Sequence, residues 1–300
     1  MVLKVVFLSF FTFWVSAGFC QHSVDEENNL LFYADVMNNA SVARHRIMAH
    51  DSFETIFLRM LEKKYGFEQS FDSLKWVSKL SPEDKSFRIF TWILDKGEGE
   101  YEHHGVLQHK SGKVFVLTDK LKEADDWEFS IHEADNWMGA MYYQIKQQED
   151  NEGPYYILFG LHRYSAIENV KLAEVLYFDK NDTPVFGKEV FFRENKDARD
   201  VVKTRLVLKY RSTSYVGLHF NEGMNMIVHD YLIPDMMAPS VGGVTLVSDG
   251  SLVGYEFKKG TWHYIDKIYT QILDEAPRPN PVLDQRGSSD LFGKPKKQKK

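Results

Sequence analysis

The chain has 300 residues, which is long enough to bury a full hydrophobic core, and its formal net charge is −6. Basic residues are concentrated after Pro277, where seven lysines and arginines accompany two aspartates, so the rest of the chain is clearly acidic. An acidic body argues against specific nucleic-acid binding, which requires a basic face.

Residues 1–20 have the pattern of a secretory signal peptide. Lys4 precedes an apolar run from Val5 to Val15, and Gly18 and Cys20 are the small residues of a cleavage site at positions −3 and −1. The apolar run is too short to span a bilayer. We therefore expect a secreted or periplasmic protein, with no transmembrane span after cleavage.

Cleavage after Cys20 would leave Gln21 as the first mature residue. The mature chain would then contain no cysteine and no disulfide, which is more typical of bacterial than of animal secreted proteins of this size. A lipoprotein acylated at Cys20 is the alternative, and the bulky Phe19 disfavours it.

Residues 21–86 are predicted to form an N-terminal helical segment that packs on a β domain. Apolar residues recur at helical spacing, Asp51 or Ser52 can cap the second helix, Gly66 can end it, and Pro82 stops the third. The predicted helices are residues 28–37, 52–66 and 74–80.

Residues 87–273 are predicted to form an antiparallel β domain, because the apolar period changes to two at Phe87. Short turns separate the strands, among them Ser111-Gly112 and a type I′ turn at Asp249-Gly250, and no helix intervenes to allow parallel pairing. The predicted strands are residues 87–94, 101–109, 113–118, 127–131, 137–146, 155–161, 170–178, 190–193, 201–210, 215–220, 226–233, 244–247, 252–257 and 262–269.

The predicted fold class is mainly β, or α+β overall. Two or three short N-terminal helices precede an antiparallel meander that forms a sandwich or a curled, barrel-like sheet. Residues 274–300 contain several prolines and end in lysines, which predicts a disordered tail. That tail could contact an anionic surface or an envelope polysaccharide through charge attraction.

Several short segments within residues 50–270 carry a resemblance. They are Phe87–Trp92, Val175–Asp179, Pro184–Gly187, Asp249–Gly250, Gly254–Tyr255 and Trp262. These segments are similar to those of a group of uncharacterised secreted bacterial proteins. The resemblance implies bacterial secretion and a mostly β domain, and it assigns no functional residue.

Histidines and carboxylates cluster in the second predicted strand. His103 and His104 are adjacent, so in a regular strand they point to opposite faces and cannot share one metal ion unless a bulge intervenes, whereas Glu102 and His104 share a face. The candidate metal ligands are therefore Glu102, His104 and His109. The alternative is a solvated polar edge, and we predict no cofactor.

An acidic stretch follows at residues 125–135. Its candidate catalytic carboxylates are Asp126, Glu128 and Glu133, because paired carboxylates can perform acid–base chemistry as in glycosidases. Trp127 beside these acids is a candidate sugar-binding aromatic. The stretch equally fits a solvated connection in which Trp127 and Trp137 pack inward.

The predicted loop at residues 234–243 supplies the remaining candidates. Its Met236, Met237 and Ser240 could line a binding site above a rigid sheet. Ser240 is not expected to be a nucleophile, because a strand follows it where the serine-hydrolase elbow requires a helix.

The sequence thus predicts a secreted, non-enzymatic β domain that acts in binding or in envelope structure. The alternative is a carboxylate-dependent, glycosidase-like hydrolase of an envelope or environmental polymer. A purely mechanical role is the third hypothesis.

Overall fold

The computed structural model describes residues 25–63, 66–194, 199–235 and 245–268. The predicted signal peptide and lysine-rich tail lie outside the described residues. So do Met236, Met237 and Ser240.

Two helices open the described chain. Helix α1 covers residues 25–39, and helix α2 covers Ala43–Leu61. Phe53 and Phe57 of α2 are fully buried, as the apolar stripe predicts. Helix α2 begins earlier than predicted because Ala49 and His50 already belong to its buried face.

Sheet 1 has four antiparallel strands in the order β1-β2-β3-β4. They are β1 (Ser78–Leu80), β2 (Phe87–Gly97), β3 (Glu100–His109) and β4 (Val114–Thr118). The predicted third helix at 74–80 is wrong, because Ser78–Leu80 pairs with β2. The helical spacing of Leu74 and Val77 instead reflects two turn residues that are buried against the helices.

Sheet 2 has the order β11-β7-β6-β5, and β8 also pairs with β7. Its strands are β5 (Met141–Asp150), β6 (Gly153–Arg163), β7 (Glu168–Phe178), β8 (Pro184–Phe186) and β11 (Arg205–Arg211).

Sheet 3 has the order β10-β9-β15-β14-β13-β12. Its strands are β9 (Phe191–Arg193), β10 (Val201–Lys203), β12 (Leu218–Asn221), β13 (Met226–Pro234), β14 (Leu246–Lys258) and β15 (Thr261–Ile265). Within the described residues, β9 and β15 form the one parallel pair among these strands.

Three strand predictions need correction. Residues 127–131 form turns rather than a strand, and the predicted strand 201–210 is divided at Thr204 between sheets 3 and 2. The predicted hairpin at Asp249-Gly250 is a bulge inside the continuous strand β14, since residues on both sides of it pair with β13. The type I′ geometry occurs instead at Lys259 and Gly260, whose φ angles are 52° and 87°.

The molecule is a stack of four layers. The helices cover one face of sheet 1, sheet 2 covers the other face, and sheet 3 covers the far face of sheet 2. Alternation along β6 shows this arrangement, because Tyr156 and Leu158 face sheet 1 while Ile157 and Phe159 face sheet 3. The fold is mainly β as predicted, and the described strands form no closed barrel.

A buried ion pair links β11 to β7 within sheet 2, and its arginine also holds the segment that covers the sheet. Arg205 Nε donates to Glu174 Oε1 at 3.0 Å, and both side chains are fully buried. Tyr142 donates its hydroxyl proton to the other carboxylate oxygen at 2.5 Å. Arg205 also donates to the carbonyls of Trp127 and Ser130, which attaches the acidic stretch to the sheet.

Removing one member of this pair leaves a buried charge without its partner. We expect Glu174→Gln and Arg205→Met each to lower the free energy of unfolding by about 3–5 kcal/mol, as measured by urea denaturation. The matched control is Lys209→Met, which removes a partly exposed pair with Glu168 and should cost less than ~1 kcal/mol. Equal losses in the buried and exposed variants would contradict this account.

Candidate metal centre

A cavity of about 560 Å³ opens at the edge of sheet 1. It forms because β4 pairs with β3 only from His104 to Gln108, so that among the described strands residues 100–103 have no neighbour on that side. Helix α2, β2, β3, β4 and the segment after β4 line it, with Glu54, Lys96, Glu102, His103, His104 and Asp119 among the lining residues.

The two adjacent histidines of β3 enter different groups. The ring of His104 lies against helix α2, with its centroid 3.9 Å from that of His50. The ring of His103 faces sheet 2 and stacks on His162 of β6 at a centroid distance of 3.8 Å. Alternation along the strand therefore separates the two imidazoles, and each belongs to its own polar cluster.

His50, Glu54 and His104 form the first cluster. His50 and Glu54 are four residues apart on α2 and so lie on one face of the helix, opposite His104. One possible ligand atom from each residue lies within 4.8 Å of the other two. In the part of the chain that the structure describes, the buried Nε2 atoms of His50 and His104 have no hydrogen-bond partner. Buried polar atoms of this kind are rare and costly unless a water or an ion satisfies them.

The electrostatics of His104 favour its neutral form. Burial and, to a smaller extent, His50 lower the pKa of His104 to about 4, although Glu102 acts in the opposite direction. At neutral pH the imidazole is therefore uncharged and offers a free lone pair, which is the state that binds a metal ion.

Glu102 lies beside this cluster. Its Oε2 atom is 3.7 Å from Nε2 of His104, and its Oε1 atom accepts a hydrogen bond from Lys96 Nζ at 2.6 Å. This hydrogen bond raises the pKa of Lys96. A second acidic side chain thus lies close to the imidazole of His104.

His103, Asp119 and His162 form the second cluster, which is internally hydrogen-bonded. The backbone N–H of Arg163 donates to His103 Nε2 at 3.0 Å, so the ring proton of His103 is on Nδ1, which lies 3.1 Å from Asp119 Oδ2. A metal on Nδ1 would require a proton on Nε2, facing the N–H of Arg163. Hydrogen bonding therefore disfavours His103 as a ligand, although the three residues are close enough together.

His162 is held by its other neighbour. Its Nδ1 donates to the carbonyl of Gly139 at 2.7 Å. Its Nε2 has no hydrogen-bond partner among the described residues. Because both ring nitrogens of His103 already make hydrogen bonds, His103 and His162 cannot bind one metal ion together. The second cluster is best described as a clamp that joins sheet 1 to sheet 2.

Burial sets the protonation of this clamp. It lowers the pKa of His103, and it lowers the pKa of His162 to about 3 with a further contribution from His103. Burial alone would raise the pKa of Asp119, but the hydrogen bond from His103, the electrostatic interactions with His162 and His103 and the backbone N–H of Leu121 together outweigh it and hold that pKa below its usual value. At neutral pH the clamp therefore consists of two neutral imidazoles and one carboxylate.

Of the three predicted metal ligands, His104 belongs to the first cluster and Glu102 lies beside it. Glu102 and His104 lie at the cavity, whereas His109 lies at the far end of β3, where its Nδ1 is 2.7 Å from Ser111 Oγ. His50 and Glu54 were not among the residues predicted from the sequence. Their i, i+4 spacing on a predicted helix was the available signal, although such pairs are common on helices.

The predicted catalytic carboxylates lie apart from this cavity and make separate local contacts. Glu128 Oε1 is 2.5 Å from Lys203 Nζ, and Glu133 caps the short 3₁₀ turn Ala134–Asn136. Asp126 is exposed and has a φ of 57°. Their catalytic role stays a prediction.

The predicted sugar-binding Trp127 is only partly exposed. Its Nε1 donates to the carbonyl of Ala124 at 3.0 Å, and Trp137 is fully buried. This placement agrees with the alternative of a connection whose tryptophans pack inward.

Comparison with known proteins gives no match: no family model, curated protein or solved structure matches the chain. The resemblance to secreted bacterial proteins stays a prediction. Within the described residues, neither helix has the length and apolar character needed to cross a bilayer.

The buried clamp predicts a loss of stability at mildly acidic pH. Between pH 6.5 and the folded-state pKa near 3, the unfolded chain binds a proton at His162 that the folded chain does not. The free energy of unfolding is therefore unaffected by the protonation of His162 above pH 6.5. Below pH 6.5 it falls by up to ~1.4 kcal/mol per pH unit as the pH decreases. We expect His162→Gln to reduce the slope of unfolding free energy against pH between 6 and 5 by about 1 kcal/mol per unit.

The measurement is urea denaturation at several pH values in the presence of a metal chelator. His219→Gln, at an exposed position of β12, is the control and should keep the slope of the unmodified protein. An unchanged slope in His162→Gln would show that this imidazole is protonated in the folded protein.

Proposed function

We propose that this protein is an exported, non-enzymatic binding domain whose ligand is a divalent transition-metal ion. His50, Glu54 and His104 would hold the ion at the boundary between helix α2 and sheet 1. The observation that carries the proposal is the pair of buried, unpartnered Nε2 atoms of His50 and His104, which are two of the three residues whose possible ligand atoms lie within 4.8 Å of one another.

A bound ion accounts for this arrangement better than packing does. A buried imidazole costs free energy when its ring nitrogen has lost its hydrogen bond to water and has gained no partner in the protein. Here two such rings lie with centroids 3.9 Å apart. An ion coordinated by both Nε2 atoms would remove both penalties at once. A bridging water is the competing explanation, and it would produce no dependence on metal.

The ligand types indicate which ions fit. Imidazole nitrogen and carboxylate oxygen suit Zn²⁺, and also Cu²⁺ and Ni²⁺, whereas Ca²⁺ and Mg²⁺ prefer oxygen ligands alone. Two histidines with one glutamate are a known zinc ligand set. We therefore expect zinc to bind more tightly than calcium or magnesium.

The location remains part of the proposal. The signal-peptide pattern of residues 1–20 supports export, and the lysines at the chain end support contact with an anionic surface or an envelope polysaccharide. Neither feature carries the metal proposal, which depends on the described residues alone.

The proposal predicts one zinc ion per chain in calorimetric titration of chelator-treated protein. His104→Ala and Glu54→Gln should each weaken zinc binding at least about tenfold, because each removes a ligand. Zinc at 100 times its dissociation constant should add about 2.7 kcal/mol to the free energy of unfolding. His219→Ala, at an exposed position, is the control.

Glu54 is only partly buried, so Glu54→Gln keeps the test valid if His104→Ala fails to fold. Zinc binding that is absent from the unmodified protein, or unchanged in both ligand variants, would contradict the proposal.

A further inference from the structure

We infer that Glu102 is the fourth protein ligand of this centre and that Lys96 is the residue that orients it. This inference rests on the metal binding proposed above, and it assigns the site a closed set of four protein ligands rather than three with an open position.

The geometry of β3 places Glu102 on the correct side. Glu102 and His104 are two residues apart, so both side chains point toward helix α2. The distance of 3.7 Å from Glu102 Oε2 to His104 Nε2 is close to the ~3.3 Å that separates neighbouring ligand atoms around a tetrahedral zinc with bonds of about 2.0–2.1 Å. Glu102 lies outside the set of His50, Glu54 and His104, whose possible ligand atoms all lie within 4.8 Å of one another, so its side chain must turn toward His50 and Glu54 to complete the coordination sphere.

Lys96 holds the other oxygen of the same carboxylate. Its Nζ lies 2.6 Å from Oε1, which leaves Oε2 directed at the imidazole. Ligating carboxylates are usually fixed in this way by an outer hydrogen-bond donor. The lysine thus defines which oxygen faces the ion.

Alternation along β2 places Lys96 on the same face as Trp92 and Leu94, which are buried against the helices, and a β-bulge follows at this point. The register of β2 with β3 pairs Asp95 with Tyr101 and Gly97 with Glu100, so it skips Lys96. The same bulge is attached to helix α2, because Arg46 Nε donates to the carbonyl of Asp95 at 2.6 Å. The lysine and the helix that carries His50 are therefore fixed to one another.

The charge balance agrees with four ligands. Two carboxylates and two neutral imidazoles neutralise a divalent cation, which suits a partly buried site. In the metal-free protein, the ammonium group of Lys96 compensates the charge of Glu102. The carboxylate is thus never left beside the core without a cation.

Zinc affinities of variants at these two positions test the inference. We expect Glu102→Gln to weaken binding by about 10- to 100-fold or more, and Lys96→Met to weaken it by about tenfold, in the range of lost outer-shell contacts. Lys96→Arg keeps a donor to Oε1 and should restore most of the affinity. With Co²⁺ as the probe, Glu102→Gln should weaken the visible absorption of the four-coordinate site.

The chain offers a matched control pair on the same cavity. Lys120 Nζ lies 2.9 Å from Glu123 Oε2, and both residues are about as exposed as Lys96 and Glu102 or more so. Lys120→Met and Glu123→Gln should leave zinc affinity and the Co²⁺ spectrum unchanged.

The outcomes separate this inference from the proposed function. If the unmodified protein binds no zinc, both fail. If it binds zinc with unchanged affinity in Glu102→Gln, only the fourth ligand is overturned and the coordination position is open. If Lys96→Met binds as well as or better than the unmodified protein, the orienting role of Lys96 is overturned. Equal weakening in the control variants would reveal a general charge effect and would overturn both roles.

Discussion

Strand β3 is covered on both faces, and this constraint determines the chemistry at the edge of sheet 1. Helix α2 lies on one face and sheet 2 on the other, so consecutive residues of the strand enter two different buried environments. His103 turns to sheet 2, where hydrogen bonds occupy both of its ring nitrogens. His104 turns to the helix, where its ring lies against that of His50 and its Nε2 is 3.7 Å from Glu102 Oε2. One strand thereby separates a structural histidine from the histidine of the proposed metal centre.

Buried polar contacts hold the layers in the register that this arrangement needs. The Arg205–Glu174 pair fixes the acidic stretch to sheet 2, and the clamp of His103, Asp119 and His162 joins sheets 1 and 2 behind the cavity. The clamp requires glycine at position 139, where the chain passes close to Asp119. Gly139 has a φ of 37°, and a Cβ there would lie 2.2 Å from the carboxylate carbon of Asp119. Hydrogen bonds between buried polar side chains, and not apolar packing alone, thus position β3.

The alternation of apolar and polar residues predicted the strands well because it depends only on neighbouring residues in the chain. It predicted the single face shared by Glu102 and His104 for the same reason. It did not predict the stacking of three sheets, nor the continuation of β14 through Asp249-Gly250, because these depend on partners far away in the chain. His50 and Glu54 were missed on similar grounds, since only the packing of α2 on sheet 1 brings them to a strand about fifty residues later.

X-ray absorption spectroscopy at the zinc edge of the purified, zinc-loaded protein tests the central claim most directly. The account predicts one zinc per chain, four nitrogen or oxygen neighbours at about 2.0–2.1 Å, and the outer-shell scattering of two imidazole rings. A shell of six oxygens without imidazole scattering, or a protein that retains no zinc, would contradict it.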